Sequence, residues 1–126
     1  MSIDWSNMNF IAILAGGLLY MIYGGIYYSV LLSGKKDNQS NGPFKYIYSV
    51  IIAFINSFLV AILLQATSSD SVLQGAAIGF IIGIIITMVY VKNALFGLIS
   101  KKSLVIAIGD HLIIFTLLGI LHSLLA

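Results

Sequence analysis

Charge placement constrains this chain more than any other feature of its sequence. No Asp, Glu, Lys or Arg lies between Asp4 and Lys35, between Lys45 and Asp70, or between Asp70 and Lys92, gaps of 30, 24 and 21 residues. A helix crosses the hydrocarbon core of a bilayer in about 20 apolar residues, so each gap holds one crossing. A fourth apolar run, 103–126, contains 24 residues and one charge, Asp110. An Asp at a helix centre costs about 2.5–3.5 kcal/mol on insertion, at the upper end of the biological scale. The same run carries 14 Leu, Ile, Val and Phe residues, which return about 4–8 kcal/mol on that scale. The fourth segment is therefore also expected to insert.

Composition closes off the other classes. Hydrophobic residues make up 60% and charged residues 8% of the 126, far too apolar for a soluble surface or a disordered chain. The expected fold is all-α, a polytopic membrane protein with four transmembrane helices in an up-down-up-down bundle. It forms one domain, 1–126, with helices at about 7–32, 44–66, 72–96 and 103–125. The start of the chain lacks the positive flank of a signal peptide, and its apolar run is long for one, so it reads as a retained first span. Without cysteine, disulfides and thiolate metal sites are excluded.

Local signals set the ends of the spans. Trp5 and Tyr28 read as interface residues. Asn41 is placed to cap the second helix, with Pro43 in its first turn. Ser71 and Gln74 form the frame of a capping box, after a turn so short that the second and third helices should make a tight hairpin. Gly97 is a stop for the third helix, and Ser100 or Ser103 a cap for the fourth. Lys35, Lys36 and Lys45 fall between the first two helices, and Lys92, Lys101 and Lys102 around the junction of the last two. All six therefore lie on one side. The positive-inside rule puts that side in the cytoplasm and both termini outside the cell membrane.

Within the spans, Gly75, Gly79 and Gly83 recur every fourth residue, the spacing that lets helix backbones approach closely. Gly16 and Gly24 offer small surfaces on the first helix. These positions serve either packing inside one bundle or the seam of a homo-oligomer. Tyr20, Tyr23 and Tyr27 share one face of the first helix and either pack with bonded hydroxyls or line a polar cavity. Asp110 lies about 10 Å along the fourth helix from Ser103, too deep for its short side chain to reach the headgroups. An intramembrane acid is a functional site by default. The structural alternative is a neutral or paired Asp that fastens helices together. It is paired with Lys92, in an ion pair shared with Asn56 or Tyr23, or it is neutral or bonded to a tyrosine, with Lys92 turned to the headgroups. Asn56 and Gln65 read as interhelical hydrogen-bonding groups, His111 as another or as a proton relay. His122 is expected near the outer interface. The two histidines are about 16 Å apart along the axis, too far for one metal ion.

The stretch Gly24-Gly25-Ile26-Tyr27-Tyr28-Ser29-Val30-Leu31-Leu32, followed by Gly34-Lys35, resembles the end of the first helix in domain-of-unknown-function family 1761. That family comprises small four-helix bacterial membrane proteins. Tyr27 stands where the family has tryptophan and Ser33 where it has phenylalanine. Asn93-Ala94-Leu95-Phe96, Gly109-x-His111 and Gly119 match further along. The resemblance implies a four-helix membrane fold and assigns no activity.

These features point to a small oligomeric transporter or channel with an intramembrane acid, its substrate unknown. The alternative is an accessory membrane protein that binds another membrane protein or lipids. No acid, base and nucleophile assemble into a catalytic set, so the chain is not expected to be an enzyme. No cofactor or metal is expected, the bilayer is the one certain partner, and the loop lysines give no reason to expect nucleic acid.

Overall fold

A computed structural model describes residues 4–31, 43–68 and 71–125. Expectations for Leu32, Lys35, Lys36, Asn41, the turn at Asp70 and the side chain of Lys45 fall outside what is described. A short 3-10 turn, Trp5–Asn7, precedes four helices: α1 Phe10–Leu31, α2 Pro43–Ala66, α3 Val72–Leu95 and α4 Lys101–Leu125. All four are long and apolar enough to cross a membrane.

The helix ends follow from local chemistry. Asp4 caps the 3-10 turn by accepting from the Ser6 backbone. That separate turn shortens the first helix from its expected start, and Asn9 then accepts from the Ala12 N–H at the new end. Pro43 opens α2, where its missing N–H costs nothing. Ser71 caps α3 by accepting from Gln74 N–H at 3.1 Å. Ser100, not Ser103, caps α4, because the Ser103 N–H donates to the Ser100 hydroxyl. α3 stops at Gly97, whose φ of 79° suits glycine. There Gly97 N–H bonds Ala94 O and Leu98 N–H bonds Asn93 O, the paired closure of a Schellman ending.

α3 and α4 pack most closely of all the helices, and the glycines are the reason. A Cβ at Gly75 would meet the Gly119 carbonyl and Ser123. One at Gly79 would meet the Phe115 carbonyl, and one at Gly83 Leu112 and the His111 carbonyl. The seam therefore lies inside this chain rather than between copies. α4 also touches α1 and α2, whereas α1 does not reach α3. The expected tight hairpin of the second and third helices is corrected here: α2 and α3 scarcely touch. Their connection is short, yet the glycine face of α3 is already committed to α4. The small residues of α2, Ala53 and Ser57, are buried, and Ser57 bonds α1 and α4.

Burial is uneven along the bundle. Met8, Ala12, Ile13, Ala53, Val60, Leu64, Ala107, Ile114, Phe115 and Leu118 form the core, and most of them lie toward the end that carries the termini. That end is tied further by reciprocal bonds between Gln65 and the Asp4 backbone. Asn9 also donates to the Leu125 carbonyl, and Trp5 stacks on Phe58. Toward the lysine-bearing end every residue of α2 from 46 to 52 is exposed.

Candidate functional site

Asp110 is the centre of the polar groups in the less packed half. It is only 8% exposed, and its Oδ2 accepts a 2.6 Å hydrogen bond from the Tyr28 hydroxyl. The Lys92 pair is not formed: Lys92 is exposed near the end of α3, and the acid takes the tyrosine alternative. The tyrosine is Tyr28, which reads from sequence as an interface residue. Tyr28 is eight residues from Tyr20, about 80° around the helix, so spacing alone did not put it on the tyrosine face.

Tyr20, Tyr23 and Tyr27 each settle differently. Tyr20 accepts from Asn56 Nδ2 at 3.1 Å and packs edge-on against Phe115. Tyr27 donates to Ile106 O at 2.8 Å over Gly109, where a Cβ would strike its hydroxyl. The hydroxyl of Tyr23 is buried without a partner, while its ring lies 5.4 Å from that of Tyr27. Tyr27 and Tyr28 are likewise 5.4 Å apart, ring to ring. All four tyrosines lie within electrostatic reach of Asp110. Beside them, a Cβ at Gly24 or Gly25 would meet nothing. Gly24 is thus no packing residue, and open space adjoins the tyrosine face.

His111 completes the group. Its Nδ1 lies 2.7 Å from Ala107 O. A carbonyl only accepts, so Nδ1 carries the proton. Nε2 sits 3.9 Å from Asp110 Oδ2, beyond hydrogen-bonding range and within ion-pair distance when the ring carries a second proton. Stacking on Tyr90 and Phe115 holds the ring in place. Asp110 Oδ2 and His111 Nε2 thus lie near each other without bonding directly.

A second polar node lies in the packed half. Ser57, fully buried, donates to Ile13 O at 2.8 Å, and its oxygen is 3.0 Å from His122 Nε2. With the hydroxyl proton committed to Ile13, the ring must donate. His122, in the last turn of α4, is 5% exposed and so faces the bundle interior. Gly16 makes room for both groups, since a Cβ there would meet Ser57 and His122. Sequence reasoning missed Ser57, one of many serines without a distinguishing spacing. Thr87, one turn beyond Gly83 on the seam, has a buried hydroxyl without a partner.

Among the described residues no three His, Asp or Glu side chains group as a metal site would require. A cavity of about 320 Å³ near the termini is lined by Leu19, Leu117, Ile120, Leu121, Leu124 and Leu125. It suits an apolar chain and does not reach Asp110.

A helical chain with four apolar, membrane-length helices and one buried acid is the class defined by this fold. The family model of a protein of unknown function, DUF1761, matches residues 11–123, and the chain belongs to that family. No curated protein and no solved structure matches it.

Proposed function

We propose that this chain is a small multi-pass transporter or channel of the cell membrane, an up-down-up-down bundle that works as an oligomer. Asp110 is its intramembrane cation site. The observation that carries the reading is the buried acid with no lysine beside it: Asp110 lies within α4, and a tyrosine is its hydrogen-bond partner. A carboxylate is expensive in the membrane, and its retention there marks an ion pathway. In proteoliposomes under an imposed potential, the protein should pass protons, potassium or methylammonium, and Asp110→Asn should abolish the flux. Absence of flux for all three overturns the reading.

The lysine side is the cytoplasmic side in this proposal, by the bias of lysine toward cytoplasmic loops. Single cysteines at Ser68 and Leu98, both exposed, separate the two sides. On intact cells an impermeant thiol reagent should label the cysteine at Ser68 and spare the one at Leu98. The reverse pattern would invert the orientation.

One observation favours the accessory reading instead. Tyr46, Ile47, Tyr48, Ile51 and Ile52 are all exposed on α2, a surface that fits another membrane helix or lipid. Loss of flux together with retained co-purification of a membrane partner would select it.

A further inference from the structure

The geometry points to a binding site for a protonated amine at Asp110 and His111, walled by Tyr23, Tyr27 and Tyr28. The inference rests on the cation-site reading above and names the class of cation. Asp110 Oδ2 and His111 Nε2 lie 3.9 Å apart. With Nδ1–H given to Ala107 O, Nε2 of the neutral tautomer is the atom left to accept. A nitrogen about 2.8 Å from each, the length of a charge-assisted hydrogen bond, closes a triangle over that base. A guest that donates two N–H bonds and carries positive charge satisfies both atoms and offsets a carboxylate. An ammonium group does both. A quaternary ammonium has no N–H to give, and sodium or potassium prefers several oxygen ligands to an imidazole.

The surroundings fit the same guest. Tyrosine faces attract cations within about 6 Å of the ring. The rings of Tyr23, Tyr27 and Tyr28 form a continuous band, each 5.4 Å from the next. The Tyr23 hydroxyl is buried and unpartnered, an acceptor or donor still to be used. The open space at Gly24 and Gly25 leaves room for a substituent on the nitrogen. The side chains of Asp110 and His111 are 11% and 14% exposed, so the pair is lined by protein without being sealed.

The test is equilibrium binding, read separately from flux. Purified protein in detergent micelles, with ¹³C-labelled tyrosine and ¹⁵N-labelled histidine, is titrated with methylammonium chloride. Tetramethylammonium and sodium chloride at equal ionic strength are the controls. Methylammonium should give saturable shifts at Tyr28 and His111 Nε2 that neither control reproduces. Asp110→Asn should weaken binding by about tenfold or more, the affinity carried by one charge-assisted hydrogen bond. His111→Phe keeps an aromatic ring between Tyr90 and Phe115 and should also weaken it. Equal shifts with tetramethylammonium, or none with methylammonium, overturn the amine site, and the wild-type comparison does not depend on any variant folding. Methylammonium binding without flux leaves the site standing and removes transport. Proton flux without methylammonium binding does the opposite.

Discussion

Gly79→Leu should lower the stability of the protein by about 3 kcal/mol or more, the upper end of the range for overpacking a close contact. The Cβ alone would collide with the carbonyl of Phe115 and reach the Cα of Thr116 at 3.0 Å. These are backbone atoms and cannot rotate aside as a side chain would. Accommodating leucine means separating α3 from α4, which also opens the contact of Gly75 with Gly119 one turn away. In lipid, that separation loses packing that small residues alone permit. Gly25→Leu is the matched control, because a Cβ there meets nothing. Thermal unfolding in one detergent should show a large drop for the first and little change for the second. Equal melting temperatures for Gly79→Leu and the parent would mean that the seam is not formed as described.

Ser57 should be the next most sensitive position, and two substitutions separate its two roles. Ser57→Ala removes the acceptor and leaves the His122 Nε2–H buried without a partner, at about 1–3 kcal/mol. Ser57→Leu does the same and adds a side chain where none fits, since Ser57 is fully buried against Gly16. Overpacking adds about 1–3 kcal/mol, so the leucine variant should lose roughly twice what the alanine variant loses. Unfolding measured side by side decides this. A leucine variant as stable as the alanine variant would place unfilled space at Ser57.

The sequence-level and structural findings part at recognisable places. The four helices were legible because charge spacing and hydrocarbon thickness are both one-dimensional quantities. Helix ends at Ser71 and Gly97 were legible because a cap acts within one turn. The glycine periodicity of α3 announced a close contact, and only the tertiary structure decided that α4 makes it. Asp110 was legible as a site because any acid in that position demands an account. Its partner was not. Tyr28 and Lys92 were both within reach by depth, and the choice rests on how α1 turns its tyrosine face toward α4 and where α3 leaves its lysine.

The sequence by itself thus determined that this is a chain of four apolar helices, carrying one acid deep within the fourth. Burial cost and helix length act on each segment separately, so no knowledge of neighbours is needed. The tertiary structure alone decided that α4 lies among the other three, and that His122 is fastened to Ser57. It also decided that His111 gives Nδ1–H to Ala107 while its Nε2 lies 3.9 Å from Asp110. Those outcomes depend on the rotation and register of one helix against another. Directional hydrogen bonds and backbone clearances of a few tenths of an ångström set both, and no spacing along the chain records them.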